Sequence, residues 1–321
     1  MQRKPTTVQD YRIIIRRHLV PFFSPRALDR ITEEHVASYV TCKLHEGLAP
    51  KTVSNHLAVL HAVFGFAVKR GLATDNPVER VDRPRQRAVD PDVRFLAREE
   101  LEALLRAVPS DDFGRTDYAL FLTAAMTGLR QGELLALRWQ DVDWPGGVIR
   151  VRRSYTRGRF GTPKSRRSSR AVPMADRVAG ELHRHFARSP FRADEDLVFA
   201  HPQLGSVLDA SRLRLRFKAA QRGAGLRPLR FHDLRHTYGT QMAAAGAPLR
   251  MLQEWMGHRD YKTTAIYADY SPDISQGAAF AQSAFGTEDD RPVGNGRRHE
   301  SPSHAAEIVV RRLSDQLELD V

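Results

Sequence analysis

Four separated stretches carry side chains suited to acting on an oxyanion. TGLRQGELLALRWQDVDW places Arg130 three residues before Glu133, so the two are neighbours on a helix. One reading is a guanidinium pinned by a carboxylate and aimed at an anion, since its fork grips two oxygens at once; a surface ion pair is the other. FHDLRHTYGTQMAAAG puts His232 and Arg235 on one helix face, a second basic couple able to face an anion. His232 and His236, four apart with Asp233 between, would also suit zinc, but neither an HExxH pattern nor an obvious third ligand accompanies them. The other reading is that His236 and Tyr238 simply pack, which is the expectation for Tyr238. In GTPKSRRSSRAVPM, Lys164 follows a Gly-Thr-Pro turn and starts a returning strand, where a hairpin tip could enter a groove and reach a bond. WMGHRDYKTTAIYADY, Trp255 to Tyr270, holds three of the chain's eight tyrosines. Gly257 ends a helix there and His258 emerges beyond it. Thr263 or Thr264 caps the next helix, Tyr261 precedes it, and Tyr267 and Tyr270 lie on it. Spacing inside this stretch does not choose among the tyrosines.

The elements that must position these groups are mainly α, with a small β-sheet or hairpin, an α+β chain. Residues 1–85 show apolar residues at helical spacing, such as Val53, Leu57, Leu60 and Phe64, and read as a four-helix module with Thr32 as one N-cap. Residues 86–94 are rich in Arg, Pro and Asp and read as a linker. A second domain spans 95–285. It has two helices split at Thr127–Gly128, β-type runs around a glycine-rich turn, and further helices from Asp176. DLVFAHPQLG reads as a short strand and turn. Residues 286–321 form a polar tail.

Charge narrows the partner. The 321 residues hold 50 Lys+Arg against 38 Asp+Glu, a net charge of +12. Nine cations and no acid fall between Trp144 and Ala175, and eight cations with one acid between Ser211 and His236. A basic surplus concentrated this way favours a polyanion. Lys51, Arg150, Arg152, Arg153, Arg166 and Arg167 are the cations expected to contact it. The longest apolar run, ALFLTAAM, is far short of the about 20 residues a bilayer requires. No apolar signal core follows Met1, and Cys42 is the sole cysteine. The expectation is a cytoplasmic protein with neither disulfides nor a membrane anchor.

Taken together, the four stretches resemble the tyrosine recombinase (phage integrase) family. That family's pattern is an arginine in a TGLRxxE/D-L context, a hairpin lysine, HxxR, then GH or GW with the nucleophilic tyrosine nine residues on. Arg130 with Glu133, Lys164, His232 with Arg235, and Gly257–His258 with Tyr267 fill it in order. Asp269 stands where the family often has a second histidine, and too few residues precede residue 5 to hold the arm-binding domain of many phage integrases.

The resemblance implies a helical core-binding domain, a mixed catalytic domain, and attack by Tyr267 on a DNA phosphodiester. The product is a 3′-phosphotyrosyl link and a free 5′-hydroxyl, rejoined without ATP. Arg130, Arg235 and His258 would stabilise the phosphate oxygens, Lys164 would protonate the leaving oxygen, and His232 is the expected acceptor of the Tyr267 proton. No metal or other cofactor is required. The implied partners are two double-stranded DNA sites, three further copies in a tetramer exchanging strands through a Holliday junction, and accessory DNA-bending or directionality factors. Two alternatives stay open: a type IB topoisomerase-like enzyme and a catalytically silent DNA-binding protein.

Overall fold

The computed structural model describes residues 5–84, 93–161 and 169–270. Lys164, Arg166, Arg167, most of the 86–94 linker and everything after Tyr270, the 286–321 tail included, lie outside the described residues. Helix α1 (Pro5–Ile14) runs through a π-helical segment (Ile15–Leu19) into α2 (Val20–Phe23), followed by α3 (Glu33–His45) and α4 (Pro50–Lys69). Residues Leu28–Arg30 and Pro77–Glu79 make only 3₁₀ turns. The expected four helices are therefore three helical runs. The intervening segments are short and marked by Pro25 and Pro77, which leaves each room for one tight turn. Val53, Leu57, Leu60 and Phe64 all lie on the buried face of α4, as their spacing requires. With Val36 and Tyr39 of α3 they close the first core, each large side chain stabilising it by roughly 1.5–3 kcal/mol. Thr32 caps α3 as expected, its backbone N–H donating to His35 Nδ1 at 3.1 Å.

A second, larger core surrounds α6. Helices α5 (Arg98–Arg106), α6 (Asp112–Thr127) and the single turn α7 (Gln131–Leu134) precede strands β1 (Val142–Asp143), β2 (Val148–Val151), β3 (Ser154–Thr156), β4 (Arg159–Gly161) and β5 (Arg170–Pro173). Helices α8 (Asp176–Arg188), α9 (Ala210–Gly223), α10 (Asp233–Ala244), α11 (Leu249–Met256) and α12 (Lys262–Ala265) complete the described chain. The run ALFLTAAM is the C-terminal half of α6, buried nearly all round, with α8 and α10 against it. Among the described residues no helix is long and apolar enough to cross a membrane.

The β region is two small antiparallel sheets, β1-β2-β5 and β3-β4, where the sequence suggested one hairpin or sheet. Its tight turn is at Arg157–Gly158, and the strand that pairs back onto β2 begins at Arg170, six residues beyond Lys164. DLVFAHPQLG forms only isolated bridges, Arg138 with Leu197 and Ala200 with Val207, because each has a loop residue for a partner.

Candidate active site

Helix α6 ends at Gly128, whose φ of 64° is the left-handed turn that glycine adopts without strain. Arg130 follows as N-cap of α7. Its backbone N–H and Nη1 each donate to the Glu133 carboxylate at 2.9 Å, and its Nη2 donates to Gly257 O at 3.1 Å. The Arg130–Glu133 pairing read from spacing is thus present, and Glu133 is buried. Burial alone would raise its pKa, but hydrogen bonds and charge from Arg170, then Arg130, hold it at about 2. Arg170 is a partner that spacing did not reveal: it donates to both Glu133 oxygens, at 3.2 and 2.9 Å.

Arg235, in the first turn of α10, is 3% exposed. Its guanidinium donates to Gly128 O and to Met256 O. Burial, then the charges of Arg130 and Arg170, lowers its pKa, yet an arginine remains protonated at neutral pH. Helix α11 stops at Gly257, φ 63°, so His258 turns inward, where Nδ1 lies 2.9 Å from the Thr264 hydroxyl. Thr264 is therefore a buried partner of His258 and not a helix cap. Tyr261 is the N-cap residue of α12, and the Asp260 carboxylate just before it accepts from Lys262 N–H at 3.0 Å.

Tyr267 lies just beyond α12, which ends at Ala265, and is 1% exposed. Its ring stacks on His258, with centroids 6.5 Å apart and 17° between planes. It also packs on Gly239 of α10, where an added Cβ would stand 2.5 Å from the Tyr267 ring. Its hydroxyl is 3.0 Å from His236 Nδ1. In the Nε2-protonated tautomer His236 accepts this hydrogen bond. The group touching the hydroxyl is thus His236, and not His232, the acceptor expected from sequence. The one-turn offset on α10 decides this: His232 is the N-cap residue, edge-on to His236 with ring centroids 5.3 Å apart. Tyr238 does pack, against Gly128. Burial pushes the Tyr267 phenol up to about 12. Tyr261 is half exposed at the start of α12. Asp233, the acid between the two histidines, accepts from Arg230.

Arg130, Arg235, His258 and Tyr267 therefore meet at one place, with His236 on the phenol and His232 beside it, while Lys164 lies outside the described residues. Of the expected DNA contacts, Lys51 is exposed on the first turn of α4. The others that are described are engaged by acids. Arg150 pairs with Asp143 at 2.6 Å, Arg153 with Asp141 at 2.8 Å, and Arg152 lies 3.6 Å from Asp141. The β1–β2 turn folds these two upstream carboxylates back onto a run that contains no acid of its own.

Burial lowers the pKa of His258 to about 3 and of His232 to about 4, and lowers that of His236 as well. His56 of the first core, hydrogen-bonded to Tyr39 at 2.8 Å, is lowered to about 4. The unfolded chain, with ordinary histidines, then binds more protons than the folded one. Stability is full above about pH 6.5 and falls as pH drops toward 4. Melting temperature measured from pH 7.5 to 4.5 should decline, and less steeply in His56→Gln; parallel pH slopes in the two proteins would contradict this account.

A family model described as the phage integrase family matches residues 94–273, and one for the phage integrase N-terminal SAM-like domain matches 1–71. A "Tyrosine recombinase XerC-like" protein of Caldanaerobacter subterraneus subsp. tengcongensis is 28% identical over 301 residues, covering 85% of this chain and 76% of its own. The ICEBs1 integrase of Bacillus subtilis is 28% identical over 284 residues, covering 84% and 75%. Among solved structures, the Tn1549 transposon integrase in complex with a circular intermediate DNA matches with TM-score 0.66 at 22% identity, covering 88% of this chain and 94% of that one. A lambda integrase dimer bound to a COC′ core site matches with TM-score 0.65 at 17% identity, covering 93% and 94%. At these identities the structural matches speak for the fold alone.

Proposed function

This chain belongs to the phage integrase family, and from that premise we propose that it is a site-specific DNA recombinase that cuts and rejoins strands through Tyr267. The observation that carries the reading is the meeting of two backbone-tethered guanidinium groups, Arg130 and Arg235, with His258 and Tyr267 at one place, from four separate segments. Phosphoryl transfer asks chiefly for charge stabilisation on the non-bridging oxygens, and fixed guanidinium groups supply it.

In the proposed reaction Tyr267 Oη forms a bond to phosphorus as the bond to the 5′-oxygen breaks. The phenol's proton leaves through His236 and its neighbour His232. Lys164 returns a proton to the 5′-oxygen. Because Tyr267 is almost fully buried, DNA must draw its segment outward before attack. Reversal with another strand's 5′-hydroxyl completes exchange, carried out by a tetramer on two sites in the cytoplasm, with accessory proteins setting direction. In this scheme residues 1–85 and 95–285 act as two domains about the 86–94 linker, so that both can close on one duplex. Binding through several phosphates makes affinity steeply salt-dependent.

The test is a nicked duplex carrying the element's end sequence, which traps the covalent product on a denaturing gel. A covalent protein–DNA band is expected, unchanged by chelator. A band lost with chelator would refute the metal-free scheme. Site-independent relaxation of supercoiled DNA would favour the topoisomerase reading.

A further inference from the structure

The last turn of α11 has an arrangement that none of the family motifs announces. A helix leaves its final carbonyls without intrahelical donors. Here Gln253 O takes the His258 N–H and Glu254 O the Gly257 N–H, both at 3.0 Å. The next three carbonyls in succession each take a guanidinium: Trp255 O from Arg170, Met256 O from Arg235, and Gly257 O from Arg130. The three arginines come from β5, α10 and the start of α7, and the one buried carboxylate among them is Glu133. Like charges gathered this closely repel; the negative helix end and Glu133 offset that repulsion.

We infer that Arg170 is a positioning residue for strand cleavage, and that the C-terminal carbonyls of α11 are the template on which the three arginines are set out. The inference rests on the recombinase reading. Arg170's side chain is buried and its nitrogens are engaged by Glu133 and Trp255 O, so it acts through its neighbours and not on DNA. Two of its nitrogens hold the Glu133 oxygens, which in turn hold Arg130. Its Nε holds Trp255 O, and its stem lies under Gly257, where an added Cβ would come within 3.1 Å of Arg170 Cδ. One planar fork thus fixes the direction of Arg130 and the turn that presents His258. An ammonium group cannot span the same acceptors, so lysine is not equivalent here.

Arg170→Lys and the charge-neutral pair Glu133→Gln/Arg170→Gln test this. The expected result for both is a folded protein by thermal melting, with DNA affinity within about threefold of wild type and covalent product formed about 10–100-fold more slowly, the cost of slight misplacement at a reacting centre. Cleavage by either folded variant at the wild-type rate would overturn the inference. So would loss of the folded state in both, which would assign Arg170 to stability alone. If wild type forms no covalent product, the recombinase reading is what fails. Positioning is then decided by titration with inorganic phosphate followed through arginine Nε–H resonances: weaker binding by Arg170→Lys supports it, and equal binding overturns it.

Discussion

Tyr267→Phe yields no covalent protein–DNA product from a nicked substrate, whereas Tyr261→Phe and Tyr270→Phe yield it at near wild-type levels. Only the hydroxyl is removed in Tyr267→Phe. The ring keeps its stack on His258 and its seat on Gly239, so fold and DNA affinity should hold. The lost hydrogen bond to His236 costs about 0.5–1.5 kcal/mol. Chemistry falls by 10⁴-fold or more, the order seen when an enzyme's nucleophile is deleted. Tyr261 is half exposed at the entry to α12, and Tyr270 ends a 3₁₀ turn one step further on. Equal trapping by Tyr267→Phe and wild type, in the same gel assay, would remove Tyr267 from the mechanism.

Arg235→Lys gives the second large effect: strand cleavage slowed by about 10²–10³-fold with DNA affinity nearly unchanged. Removing one fixed donor from developing charge typically has that cost. Arg235 spans Gly128 O and Met256 O while buried. A lysine cannot hold both carbonyls and still face a phosphate, and a buried acceptor left unmade costs about 1–3 kcal/mol. A drop in melting temperature should therefore accompany the kinetic loss. Single-turnover rates with saturating DNA separate the two, because a folded, DNA-bound variant reports chemistry alone. A wild-type rate there would show that Arg235 is only structural. By contrast, Lys51→Ala should weaken binding on all sequences alike and flatten the salt dependence by about one ion.

Much of the fold could be read along the chain because helix periodicity and caps are local. The inward face of α4, the stop of α6 at Gly128 and the end of α11 at Gly257 each follow from a few neighbouring residues. The count of helices in residues 1–85 went astray where prolines shortened segments to single turns. The cation-rich run looked uncompensated because Asp141 and Asp143 lie just outside it and reach it only through strand pairing.

By itself the sequence determined which reactive side chains exist, their order, and the pairing of Arg130 with Glu133, because a cap residue and the third residue of its helix lie a fixed short distance apart. It also determined the interval from His258 to Tyr267, though as a number of residues and not as a contact. Only the tertiary structure decided that His236 and not His232 meets the phenol, that Thr264 supports His258, and that Arg170 braces Glu133. The physical reason lies in the partners. Arg130 and Gly257 are 127 residues apart, and three of the decisive acceptors are backbone carbonyls, which every residue carries and which acquire a direction only once a helix has ended in the right place.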